Sequence, residues 1–201
     1  MSILELSGLR SRLAGPFHLT IPEGAFVAIT GASGSGKSLF LRLIADLDPG
    51  EGEVRLDGIM RDRYPPTEWR RKVIYVAAES GWWKATVSQH FPVAQQGAAR
   101  ALAARLGLGG TQFDSAVDRL STGERLRLSL IRGFVLRPAV LLLDEPTGAL
   151  DPETTLAIEA YLKEAAATGT AIVIVTHEPE QIDRLNAKHY RMVGRKLEPS
   201  A

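Results

Sequence analysis

Gly31-Ala32-Ser33-Gly34-Ser35-Gly36-Lys37-Ser38 decides the fold. The stretch fits G-x-x-x-x-G-K-[ST] at every fixed position. Its setting fits too: an apolar run, Ala25–Thr30, precedes it, and a helical pattern of Leu39, Leu43, Ala45 and Leu47 follows from Ser38. Glycines let successive backbone N–H groups turn inward around phosphate oxygens. The helix N-terminus aims roughly half a positive charge at the same place. In such a cradle Lys37 is expected to reach the β- and γ-phosphates of a nucleotide, and Ser38 Oγ to ligate Mg2+.

The next informative stretch is Val140-Leu141-Leu142-Leu143-Asp144-Glu145, four apolar residues and then two acids. Strands buried on both faces of a parallel sheet read as unbroken apolar runs, and Ala171–Thr176 reads the same way. Acids at the end of such a strand face the ligand side of the sheet. Asp144 is expected to hold Mg2+ through its water shell, and Glu145 to polarise an attacking water as general base.

Further strand candidates are Ile3–Leu6, Phe17–Ile21, Glu53–Leu56 and Val73–Val76. Leu126, Leu130, Ile131, Phe134 and Val135 trace one helix that Pro138 must end. Leu156, Ile158, Ala160, Tyr161 and Ala165 trace another, stopped at Gly169. This alternation predicts an α/β fold with a mostly parallel core sheet. The first 60 residues, with turns at Pro22-Glu23-Gly24 and Asp57-Gly58, read as an antiparallel β lobe stacked on that core. Residues 79–119 hold no strong strand but an Ala-rich helical stretch, Ala94–Leu106. A small helical lobe, about 79–135, is therefore expected as an insertion in one domain spanning 1–201.

Composition narrows the function classes. The 201 residues carry 24 Lys+Arg against 23 Asp+Glu, a net charge of +1 that speaks against a generally basic nucleic-acid coat. With 0 Cys there is no disulfide, thiolate metal site or cysteine nucleophile. The dense apolar stretches, such as Ala139–Leu143 and Ala171–Val175, fall far short of the ~20 residues of a spanning helix. Met1-Ser2-Ile3-Leu4-Glu5 has no basic region ahead of an apolar core, so no signal peptide is expected. Any membrane role must run through a partner.

Leu120-Ser121-Thr122-Gly123-Glu124 contains S-x-x-E, a capping box for the helix that follows. It also lies just ahead of the Val140–Glu145 strand. Pro146-Thr147-Gly148-Ala149-Leu150-Asp151 comes next, with Asp151 placed to cap a helix starting at Pro152, and His177 follows the strand Ala171–Thr176. In this order the sequence resembles the ATP-binding-cassette (ABC) ATPases of the P-loop NTPase superfamily, from about Ile3 to Leu197. Leu120–Glu124 matches the family's L-S-G-G-Q signature, Pro146–Asp151 its D-loop and His177 its switch histidine.

The resemblance implies hydrolysis of ATP to ADP and phosphate, with ATP and Mg2+ as cofactors. Nucleotide contacts would come from Gly31, Ala32, Ser33, Gly34, Ser35, Gly36, Lys37, Ser38 and Leu39. Ser121 and Gly123 would reach the nucleotide of a second, head-to-tail copy. The catalytic set would be Lys37, Glu145 and His177, with His177 holding Glu145 and water in line, and the metal set Ser38 and Asp144. An ATP-bridged homodimer would drive separate transmembrane subunits from the cytoplasmic face of the membrane. Two other readings stay open: a soluble ABC ATPase acting on a cytosolic assembly of the iron–sulfur scaffold type, and a P-loop small-molecule kinase, which has no use for Leu120–Glu124.

Four departures from the family stand out. Ala78 takes the place of a Gln that senses Mg2+, with Glu79 beside it. No aromatic residue for adenine stacking occurs in Leu9–Ala14, which leaves Arg10 or Arg12. The signature carries Thr122 for Gly and Glu124 for Gln. Trp82-Trp83 lie where the family receives a coupling helix from the membrane subunit, and core filling of the small lobe explains them equally well.

Overall fold

Alternate residues of a strand face opposite sides of its sheet, so a run buried throughout must be covered on both faces. Val140–Asp144 and Ala171–Val175 are such runs, and every residue in them is buried. The computed structural model describes residues 2–200, so Met1, where the N-terminal reading starts, lies outside the described residues.

In chain order the elements are β1 (Ser2–Arg10), β2 (Phe17–Pro22), β3 (Phe26–Thr30), α1 (Lys37–Ile44), β4 (Glu51–Leu56), β5 (Ile59–Met60) and α2 (Pro66–Lys72). There follow β6 (Val73–Val76), α3 (Gln96–Arg105), α4 (Gly110–Asp114), α5 (Thr122–Phe134) and β7 (Val140–Asp144). The chain closes with α6 (Pro152–Ala167), β8 (Ala171–Val175), α7 (Pro179–Arg184), β9 (Lys188–Val193) and β10 (Lys196–Pro199).

A six-stranded sheet has the order β10-β9-β3-β8-β7-β6, and a four-stranded antiparallel sheet the order β2-β1-β4-β5. The large sheet is parallel apart from β10. The expected α/β fold, with its mostly parallel core sheet and antiparallel β lobe, is therefore present. One strand of the first 60 residues departs from the lobe: β3 joins the parallel sheet between β8 and β9. Its unbroken apolar centre, Val27-Ala28-Ile29, suits a site covered on both sides.

Two cores follow from the alternation. Val140 and Leu142 of β7, Val173 and Val175 of β8, and Val27 and Ile29 of β3 pack with α1 and the antiparallel sheet. Leu141, Leu143, Ile172, Ile174 and Ala28 point the other way, into a second core with α3, α5 and α6. The glycine-rich loop at residues 31–36 thus leaves a central strand of a sheet clamped from both sides. Residues 79–119 contain α3, α4 and three-residue 3-10 turns, with an isolated bridge between Thr86 and Ala116 as their one strand-like contact among the described residues.

Candidate active site

The carboxyl ends of the parallel strands meet at one edge, where α/β proteins bind ligands. From β3 the chain enters residues 31–36 and then α1. Gly31, Gly34 and Gly36 all have positive φ, at 146°, 72° and 106°. Gly31 has a second constraint: a Cβ there would stand 2.7 Å from the Met192 carbonyl oxygen on β9. Gly36 is the N-cap of α1, and no side chain caps the helix. Its free N–H groups therefore await an acceptor.

Lys37 is 6% exposed. Its ammonium folds back to donate to the carbonyls of Gly31 (2.8 Å) and Ala32 (3.0 Å). Within the same loop the Ser35 hydroxyl is buried and has no hydrogen-bond partner. An uncapped helix start, an orphaned hydroxyl and a cation bonded to the loop's own carbonyls make a site built for an anion.

Asp144 ends β7 and is 5% exposed. It lies on the face that α1 covers, two residues beyond Leu142. The Tyr75 hydroxyl donates to Asp144 Oδ2 at 2.9 Å. Burial first, and then the neighbouring Asp144 charge, push the Tyr75 phenol well above its ordinary value, so it stays a protonated donor.

Glu145 takes φ 50°, the left-handed region that non-glycine residues seldom occupy. Its N–H remains bonded to the Val175 carbonyl at 3.1 Å. The side chain, 42% exposed, meets His177 Nε2 through Oε1 at 3.0 Å. An ionised carboxylate only accepts, so Nε2–H donates. His177 and Glu145 are thus in direct hydrogen-bond contact at this edge.

The signature forms the capping box in full. Ser121 N–H and Oγ–H both donate to Glu124 Oε2, at 2.8 and 2.9 Å, and Glu124 N–H donates back to Ser121 Oγ at 3.3 Å. The hydrogen bonds from Ser121, backbone first, hold the Glu124 carboxyl below its ordinary value. Asp151 caps α6 through Thr154 N–H at 2.9 Å, as its position before Pro152 predicts. A cleft of about 720 Å³ takes in Thr122, Glu145, Gly148 and Glu79, but none of residues 31–38.

Among the departures, Arg10 proves engaged: its guanidinium binds Glu51 Oε2 at 2.7 Å. Arg12 is exposed, as is Leu13. The three tryptophans divide. Trp69 is a core residue with no exposed surface, donating from Nε1 to the Ile44 carbonyl at 3.0 Å. Trp83 is 69% exposed. Arg132 stacks on both Trp82 (4.8 Å) and Trp83 (5.1 Å). His90 fixes this segment: Nε2 accepts from Trp83 and Lys84 N–H at 3.0 and 2.9 Å, so its proton sits on Nδ1, 3.0 Å from the Thr86 carbonyl. The same region borders an open groove lined by Leu47, Arg70, Trp83, Arg132 and Leu136.

A phosphate loop, two carboxylates and a histidine share this edge, and residues 15–148 match the family model described as ABC transporter. The chain belongs to that family. It is an ATP-binding, ATP-hydrolysing ABC subunit, and the kinase reading falls away. Over 207 aligned residues the cassette is 36% identical to the lipoprotein-releasing system ATP-binding protein LolD of Myxococcus xanthus (strain DK1622), covering 94% of this chain and 91% of that one. It is 39% identical over 170 residues to the aliphatic sulfonates import ATP-binding protein SsuB 2 of Rhizobium johnstonii (strain DSM 114642 / LMG 32736 / 3841), covering 81% of this chain and 64% of the relative. A solved ATP-binding cassette, a dimer in a post-hydrolysis state bound to ADP and Pi, matches the fold with a TM-score of 0.84 at 23% identity. That match covers 98% of this chain and 97% of the other.

For the metal, the donor set is informative. Among the described residues no cluster of three or more His, Asp or Glu could cage an ion. Ser38 and Asp144 offer hard oxygen donors at the loop and at the strand end. That suits Mg2+, which keeps several waters and takes its remaining ligands from phosphates.

Sequence reading missed several elements. It found neither β5, β9 and β10 nor the short helices α2 and α7, and it did not foresee the Tyr75–Asp144 contact. The signal for the last lay in the register. Tyr75 pairs with Leu142, and Asp144 follows Leu142 by two residues on the same face.

Proposed function

We propose that the cassette works as an ATP-bridged head-to-tail homodimer, bound to separate membrane-spanning subunits on the cytoplasmic face of the membrane. Lys37 and the N–H groups of residues 31–39 hold the phosphates, while Ser38 and Asp144 hold Mg2+. The metal supplies charge neutralisation on the β- and γ-phosphates. Glu145 takes the proton of the attacking water, and His177 keeps Glu145 aimed. Ser121 and Gly123 complete the site of a second copy, their helix start offering further donors to the transferred phosphoryl group. Residues 79–135 form the lobe that carries this signature.

The observation that carries the proposal is the 3.0 Å contact of His177 with Glu145 at the same sheet edge as the phosphate loop. The relative named lipoprotein-releasing system ATP-binding protein is matched over 91% of its own length, which supports a cassette that works with separate membrane subunits. The groove beside Trp83 and Arg132 supports docking of such a subunit there. Relatives named for lipoprotein release and for sulfonate import share the cassette, which supports a cargo chosen by the membrane partner.

Glu145→Gln is the decisive variant. It is expected to keep ATP binding, lose hydrolysis by at least about 100-fold, and accumulate as an ATP-dependent dimer on size-exclusion chromatography. Normal phosphate release by that variant would remove Glu145 from the role of base.

A further inference from the structure

We infer that Tyr75 is a positioning residue for metal-dependent nucleotide binding, acting through Asp144. The inference rests on the reading of Asp144 as the Mg2+ carboxylate.

Strand register leads to it. In the parallel pair of β6 and β7, Tyr75 stands opposite Leu142. Asp144 lies two residues further on and shares Leu142's face, an advance of about 6.6 Å along the strand. A tyrosine is long enough to cover that advance, and the hydroxyl arrives 2.9 Å from Asp144 Oδ2. Val76, the next residue, points into the other core, and Ala78 ends its side chain in a methyl group. Tyr75 is thus the side chain of β6 seen to bond this carboxylate.

The environment makes the contact effective. Asp144 is 5% exposed, and the Tyr75 ring packs into the core beneath α1, the helix that begins with Lys37 and Ser38. A buried carboxylate bonded through one oxygen loses its freedom to rotate, so the other oxygen is presented in one orientation. A phenylalanine would fill the same space and leave the carboxylate free to turn. Removal of such outer-shell partners commonly weakens metal binding about 10–100-fold.

The test uses the full chain, a fluorescent ATP analogue and a Mg2+ titration, with Glu145→Gln as background so that no nucleotide is consumed. Tyr75→Phe is expected to raise the Mg2+ concentration at half-response by about tenfold or more. In the Asp144→Asn background the same change is expected to add nothing, because the two residues act as one unit. Coincident Mg2+ curves for the parent and the Tyr75→Phe chain would overturn the inference. So would an equal, independent rise in the Asp144→Asn background, or a proportionate loss of metal-free nucleotide binding, which would mark the hydroxyl as a prop of the fold. A parent chain with no Mg2+ response at all would sink the Asp144 assignment itself, and this inference with it.

Discussion

At the scale of single residues, two backbone positions set the site. Gly31 combines φ 146° with a carbonyl 2.7 Å from where a Cβ would stand. Gly34 has φ 72° but open space around it. The two should respond differently to alanine. Gly34→Ala meets only the backbone penalty, about 1–2 kcal/mol. Gly31→Ala must also push β9 away, so it is expected to cost more and to abolish nucleotide binding. Thermal melts beside equilibrium dialysis would separate them, with a shift of about 2–4 °C for each kcal/mol. Similar losses at both positions would mean that Met192 does not constrain the loop. Glu145 shows the opposite economy: a non-glycine residue held at φ 50°, a strain of about 1–3 kcal/mol that the surrounding sheet over-determines.

At the scale of elements, α7 is tied to the chain beyond β7 by a buried network. Arg184 binds both oxygens of Glu159 on α6 at 2.7 Å. Gln181 donates to Glu159 Oε1 (3.0 Å) and to Thr147 Oγ1 (3.1 Å). Glu159 is 2% exposed. Burial pushes its carboxyl up, but the hydrogen bonds from Arg184 and Gln181 outweigh that, and the net shift is downward. A lowered folded value means the pair's stabilisation is complete above the ordinary Glu range, ~4.3, and is lost as pH falls through the folded value. Arg184→Ala leaves the buried carboxylate without its cation, with Gln181 still donating to it, and is expected to cost about 3 kcal/mol at neutral pH. Its deficit should shrink towards pH 3, measured by urea unfolding. A pH-independent deficit would show that packing, not charge, is lost.

The legibility of the sequence also varies by element. The phosphate loop could be read because its glycines answer steric demands that other residues cannot meet, and β7 and β8 because burial on both faces leaves no polar residue in them ahead of Asp144. Strand β9 could not, since Lys188, His189 and Arg191 interrupt its apolar positions, as suits a strand covered by β10 alone on its outer side. Strand β10 is largely exposed and gives no apolar rhythm at all. Tyr75 and Asp144 are 69 residues apart, and only the register of β6 on β7 brings them together. His177 was legible through its place after a buried strand. His90 was not, because its work is to accept two backbone N–H groups six and seven residues away.

At the scale of the whole molecule, the proposed head-to-tail homodimer makes turnover depend on a second copy. Activity per molecule is expected to fall steeply on serial dilution at saturating ATP and Mg2+. A flat profile down to nanomolar protein would count against a shared site. The groove at Trp83 and Arg132 is the proposed docking place of the membrane subunit. Trp83→Ala is expected to weaken capture of the membrane subunit several-fold with ATP affinity unchanged, and equal capture would return Trp83 to a local packing role.

Strand order carries a consequence for biosynthesis. Strand β3 is made within the first 30 residues, yet its neighbours β8 and β9 end at Val175 and Val193. The loop before β2 is likewise fastened from far downstream, by Arg195 bonded to the Leu13 carbonyl at 3.0 Å. A chain emerging from the ribosome therefore cannot complete the sheet around its phosphate cradle until β8 and β9 have also been made.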